Sequence, residues 1–443
     1  MSRSVLRVVL GIVLVVILVV GGVVAFGWWK IAGLKEKLVR DLEKASGAQV
    51  QVTSLEFDLW HGELHASGIT LTNLRPSAPW EKGEISQAIV RFHLSDVFAP
   101  TLPLSVEVFS WSVVLHPATT AEATPETPMA TAPSAAAPEP VTGQGRVHVT
   151  ALSAHDGSVE INLANGQVVT VNGVSFEAGE NGAGIWNTDL RAMSVEAGTL
   201  KTGASSVQIL GGPDKLTFSN LRMVCDQGFI TGNGEASLTG DHHMTFDLKA
   251  TDVPVTMLVS VAWQMKLSGL VIGDLVYEGN DQGGSAKGHL ALSHAKFNVL
   301  PWLGKVMAMV SLPDLTNTEV DLATTDLEWK EHTLHLTNLD IRKNDIVRIS
   351  GGVDVDPSGQ VDGKLKLGLP SAVTAKWPQL QDKIFSVAQE NYNWADVHVT
   401  GTPDHLQEDL TSRLVAIGLD QGSSLMDQAE KKAGDLYKSL MGN

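Results

Sequence analysis

The chain has 443 residues, 43% of them hydrophobic and 18% charged, with a formal net charge of -17. That length allows two or three ordinary domains with apolar surface to bury, and the excess of carboxylates argues against a nucleic-acid partner and against a basic patch for anionic headgroups. One cysteine, Cys225, excludes an intramolecular disulfide and a cysteine-rich zinc site.

After a short tail (1–7), the run from Val8 to Trp29 contains no charge. At ~1.5 Å per residue it reaches about 30 Å as a helix, the thickness of a bilayer core. This predicts a retained transmembrane helix over 8–29, with Trp28 and Trp29 at the membrane interface instead of a signal-peptide cleavage site. Arg3 and Arg7 precede the run, while Lys30, Lys35, Lys37 and Arg40 follow it, so charge does not fix the orientation. Over 30–47, Ile31, Leu34, Leu38, Leu42 and Ala45 fall at helical spacing, and Gly47 is a stop; this reads as an amphipathic stalk.

From residue 48 the period changes to two. In the β region 48–116, Leu55, Phe57 and Leu59 share one face, as do Ala88, Val90, Phe92 and Leu94. Leu104, Val106 and Val108 give way to Phe109, Trp111, Val113 and Leu115, a change of parity that predicts a bulge near Val108. Residues 117–145 hold six prolines with many alanines and threonines. Such a segment cannot bury enough to offset its ordering entropy and reads as a linker, either a domain boundary or an insertion in one sheet.

A second β-rich region covers 146–404. Asp356-Pro357-Ser358-Gly359 and Gly240-Asp241 are hairpin signals, and Asp156-Gly157 reads as a third. The hexads Ile69–Leu74, Leu216–Leu221 and Leu334–Leu339 each close on Asn-Leu and suggest a repeated unit in which Asn-Leu ends a strand. Val253 to Leu267 and Val299 to Leu312 are too short to span a bilayer and read as helices packed on a sheet. Helical spacing returns beyond Pro370, tracking Ala375, Gln379, Lys383 and Val387, and again in an amphipathic tail over 405–443.

Catalytic chemistry has little support in these residues. His332 and His335 are three apart in a strand pattern, which puts them on opposite faces and disfavours a shared metal. His155-Asp156-Gly157-Ser158 carries triad residue types without a nucleophile elbow, and no glycine-rich phosphate loop opens a helix. The expectation is a protein that is not an enzyme and uses no cofactor.

The order of these features resembles the AsmA-like family, within the broader TamB-like and bridge-like lipid transfer proteins. The resemblance rests on the N-terminal helix and stalk, on Trp60-His61-Gly62-Glu63-Leu64 with Gly68-Ile69-Thr70-Leu71-Thr72-Asn73, and on Ile349–Val355 and Val399–Asp404. It covers both ends of the chain well and the middle by pattern alone. The resemblance implies a single-pass inner-membrane protein with its bulk in the periplasm. It further implies an elongated, curved antiparallel β-groove that binds or transfers phospholipid in support of the outer membrane, with a possible envelope protein partner. Candidate lipid contacts, taken from the apolar parity of the first strands, are Phe57, Leu59, Val90, Phe92, Val106 and Trp111. A closed β-sandwich core is the alternative architecture, and a tethered scaffold for a protein client is the alternative function.

Overall fold

The computed structural model describes residues 43, 48–58, 61–73, 80–93, 95–96, 101–116, 146–163, 166–182, 184–280, 283–297, 303–304, 307, 319–403 and 405–416. The expected membrane helix with Trp28 and Trp29, nearly all of the stalk, Leu59, the linker 117–145 and the tail beyond 416 lie outside these residues. No helix among the described residues is long and apolar enough to cross a membrane. The chain is mainly β, with twenty-two strands and five short helices described, and it divides into two compact units.

The first unit is built from β1 (Ala48–Asp58), β2 (Glu63–Asn73), β3 (Trp80–Arg91), β4 (Thr101–Leu115), β5 (Arg146–Asn162), β6 (Val168–Glu180), β7 (Trp186–Ala192), β8 (Ser194–Ala197), β9 (Leu200–Thr202), β10 (Ser205–Gly211) and β11 (Lys215–Cys225). Strands β1 to β4 form an antiparallel meander. β5 then lies parallel to β4, so residues 117–145 are an insertion between neighbouring strands of one sheet. A parallel return needs a connection of about a dozen residues or more, which this insertion supplies. β6 pairs with β5, then with β7 and β8 along its two halves, and β10 joins β7 to β11.

Apolar parity changes in most of these strands, and the changes line up. Val50 and Val52 alternate up to Thr53, and Leu55 and Phe57 continue after it. Opposite them, Leu64 and Ala66 give way to Ile69 and Leu71 around Gly68. The line continues through β3 near Ser86, then Ser110, Asp156 and Gly173, and on to Met193 between β7 and β8 and Asn220 in β11. Gly68, Ser110, Asp156, Gly173 and Asn220 all have positive φ. A one-residue re-phasing in a single strand would turn half its apolar side chains to the wrong face; made in register across the sheet, it keeps them together. The bulge expected near Val108 is thus at Ser110, part of a feature crossing the unit. Asp156-Gly157 is not the expected hairpin turn: it is the bulge inside β5, paired on both sides.

Two of the three hexads have the same origin, while in the first Asn73 ends β2 as expected. Asn220 and Asn338 sit at φ 53° and 50° inside continuous strands, so they do not end them. Each donates from its side-chain amide across to the neighbouring strand, Asn220 to Gln208 and Asn338 to Asp326, both at 2.7 Å. Asparagine tolerates the left-handed region that β-branched residues avoid. Asn338→Val is therefore expected to cost about 1–3 kcal/mol, and Asn338→Gly clearly less, because glycine keeps the backbone and loses only the bond. Urea midpoints of the two variants measure this; equal losses would show that the backbone conformation is not what asparagine provides.

Three strands carry the chain onward, β12 (Gly228–Ser237), β13 (Met244–Pro254) and β14 (Leu267–Asn280), with one-turn helices α1 (Val255–Leu258) and α2 (Val261–Gln264) between the last two. The second unit continues with β15 (Gly283–Phe297), β16 (Leu322–Lys330), β17 (Thr333–Lys343), β18 (Val347–Val355), β19 (Val361–Pro370), α3 (Ser371–Thr374), α4 (Pro378–Lys383), β20 (Val387–Gln389), β21 (Tyr392–Thr402), β22 (His405–Glu408) and α5 (Leu410–Ala416). β15 to β19 form an antiparallel meander, β21 adds to β19, and β20 and β22 pair with β21. Val387 thus lies in a strand, so the helix expected beyond Pro370 stops after Lys383. The β18–β19 hairpin is as the sequence predicts: Asp356 Oδ1 accepts from the Ser358 and Gln360 amides, and Gly359 takes φ 81°.

Candidate functional site

In antiparallel pairs, directly opposed residues share a face, so the register traces one apolar face across the first unit. Val106 lies opposite Val90 and beside Leu152, Leu152 faces Ala178, and Ala154 faces Phe176. Phe176 then faces Leu190, Leu190 faces Val207, and Ile209 faces Phe218. The other face is polar. There Arg91 donates to Glu63 (2.9 Å) and Glu107 (2.6 Å), with His65 and His155 beside the two carboxylates. Hydrogen bonds from Arg91 and His65 hold the Glu63 carboxyl below its ordinary range.

What changes along the apolar face is its cover. From β1 to β5 it is sealed: Leu64, Leu104, Val106 and Leu152 are all at most 5% exposed and form one core. From β6 to β11 the residues continuing that face, Phe176, Leu190, Val207, Ile209, Leu216 and Phe218, are only half-buried. Six such side chains at ~1.5–3 kcal/mol for full burial leave on the order of 5–10 kcal/mol of apolar burial unrealised. The second unit is graded in the same way. Helices α4 and α5, with Leu303 and Met307, cover Ile349, Leu367 and Val397, whereas Leu327, Trp329, Leu334 and Leu336 of β16 and β17 stay half-buried.

Of the residues predicted from sequence, Val90 (4% exposed) and Val106 (0%) lie inside the sealed part. Phe57, Phe92 and Trp111 are half-buried against the same core. Trp111 lies edge-on to Phe176, with ring centres 6.3 Å apart, and its buried indole N–H has no acceptor. It therefore stands where the sealed and half-exposed parts of the face meet. Sequence reasoning missed Phe176 to Phe218. The alternation was visible in those strands, but only the register shows that they extend the face begun by the first ones.

His335 pairs with Asp354 from β17 (2.6 Å), while His332 lies in the preceding turn. Among the described residues no three metal-ligating side chains cluster. Burial alone would raise the Asp340 carboxyl, but hydrogen bonds and charge from Arg342 and Arg348 outweigh it and hold the group below its ordinary range. A depressed carboxylate stabilises the fold above its unfolded pKa, about 3.9, and that contribution is lost as pH falls through the folded value. Asp340→Asn should then cost about 1–3 kcal/mol at pH 7, and the gap to the unmodified chain should close in acid, once pH has fallen through the lowered folded value. Denaturant melts at pH 7 and in acid test this, and a gap constant with pH would refute it.

Compared with known proteins, the chain matches no family model and no curated sequence.

Proposed function

We propose that the protein is a membrane-anchored, AsmA-like lipid-binding protein of the cell envelope, taking acyl chains against the half-exposed part of its apolar sheet face. One observation carries this reading: a single register-continuous apolar face that is sealed over β1–β5 and left half-exposed over β6–β11, with a charged back. An acyl chain needs no polar partners and contributes ~0.8 kcal/mol for each CH2 it buries, so it suits such a face better than water does. Anchoring by the Val8–Trp29 run, with the bulk of the chain in the periplasm and the lipid handed toward the outer membrane, is the role that the resemblance adds. Half-buried Trp111, edge-on to Phe176 where the sealed part ends, would flank the bound chain.

The test is native mass spectrometry and lipid extraction of the full chain after detergent exchange, alongside photoreactive residues placed at Leu190 and Ile209. Crosslinked phospholipid at both positions supports the reading, and their reaction with protein alone counts against it. The alternative of a tethered scaffold draws on a different feature. On α1, α2 and the residue after α2, Leu258, Val261 and Met265 are 46, 67 and 78% exposed, a surface suited to a protein client.

A further inference from the structure

On the polar face of the second unit, β18, β19 and β21 form the floor of a cleft of about 350 Å³ that the segment following α4 and the start of α5 enclose. Four cations line it, Arg348, Lys366, Lys383 and Arg413, in a chain whose net charge is -17. The two arginines are held in place. Arg348 donates to Asp340 and to Glu390 (2.6 Å) and lies 5.6 Å from the centre of the Trp394 ring, while Arg413 donates to the Asp396 carbonyl (2.6 Å) and lies 3.3 Å from Asp409. The two lysines differ. Lys366 is directly opposite Asp396 in the β19–β21 register, yet among the described residues neither it nor Lys383 is in an ion pair. Two uncommitted ammonium groups thus sit beside two fixed guanidinium groups, and the hydroxyls of Ser350 and Ser386 with the Asp396 carboxylate add partners for ligand hydroxyls.

We propose that this cleft binds a phosphate ester bearing free hydroxyls. A phosphate presents three acceptor oxygens and close to two negative charges at neutral pH when it is a monoester, which matches two free ammonium groups and the guanidinium edges. The volume leaves room for a small polyol beyond the phosphate. Because the protein's overall field repels anions, a ligand of this class is held by local contacts and not by general attraction. The site is on the polar side of the sheet and does not depend on the acyl-chain reading. A soluble polyol phosphate and the phosphoglycerol head of a lipid share the required chemistry.

The experiment is calorimetric titration of the full chain, held in phosphatidylcholine nanodiscs, with glycerol 3-phosphate and separately with monomeric dihexanoyl phosphatidylglycerol. The expected result is saturable binding of at least one probe, weakened about tenfold or more in Lys366→Gln/Lys383→Gln. Binding of glycerol 3-phosphate identifies a soluble ester as ligand, and binding of the short lipid alone identifies a headgroup. A control, Lys364→Gln/Lys376→Gln, removes the same charge from outside the cleft and should bind as the unmodified chain does. Failure of both probes at millimolar concentration would overturn the proposal, as would equal weakening in the control and cleft variants. Circular dichroism melting of each variant separates lost binding from lost folding.

Discussion

Val106→Asp is expected to abolish cooperative folding of the first unit, while Ile209→Asp is expected to leave the fold intact and, on the acyl-chain reading proposed above, to remove the bound chain. The two changes introduce the same carboxylate on one face of one sheet. Val106 is 0% exposed, in the middle of a core that draws on β1 to β5. A carboxylate there has no hydrogen-bond donor and no route to water, and burying it unpaired costs several kcal/mol, comparable to the whole stability of a domain. Ile209 has the same face and the same strand geometry, but it is half-buried. Its carboxylate would stay hydrated, so the loss should be limited to about 1 kcal/mol of partial apolar burial. Melting by circular dichroism, with phospholipid quantified from the same samples, reads both effects. Unfolding by Ile209→Asp would show that the half-exposed strip is a core after all. Unchanged lipid content in a folded Ile209→Asp protein would place any acyl chain elsewhere.

Gly157→Ala should be strongly destabilising to the first unit through a single added methyl. An ideal Cβ at Gly157 would lie 2.0 Å from the Trp111 ring, closer than any real contact. Glycine at this point lets the indole lie flat on the β5 backbone, next to the bulge that Asp156 makes at φ 54°. An added methyl must push Trp111 off β5 and away from Phe176. Overpacking of this kind costs typically about 1–3 kcal/mol, and the loss of the aromatic contact adds about 0.5–1.5 kcal/mol. Trp111→Leu in the same background should restore part of the loss, because a smaller side chain no longer needs the bare backbone. A destabilisation unaffected by Trp111→Leu would show that the backbone at Gly157, and not the indole, sets the cost.

Much of this architecture was legible in the sequence, for reasons of local stereochemistry. Alternation of period two places side chains on opposite faces whatever the neighbours are, so Leu55 and Phe57, or Leu365 and Leu367, declare a strand by themselves. Asp356-Pro357-Ser358-Gly359 names its own turn because proline and glycine restrict φ locally. The parity change around Val108 and the Asn-Leu hexads were visible as well, although their meaning was not. A bulge inside β5 and a hairpin at Asp156-Gly157 both call for a residue such as Asp156 that tolerates positive φ, and only pairing on both sides tells them apart. Tertiary structure alone decided that the parity changes of Thr53, Gly68, Ser110, Asp156, Gly173 and Asn220 fall in register, since register is a relation between strands far apart in the chain. It also decided which apolar residues are sealed and which are half-exposed. Val106 and Ile209 have the same alternation and nearly the same chemistry; what separates them is what lies over each one, and cover is a property of packing that no local pattern encodes.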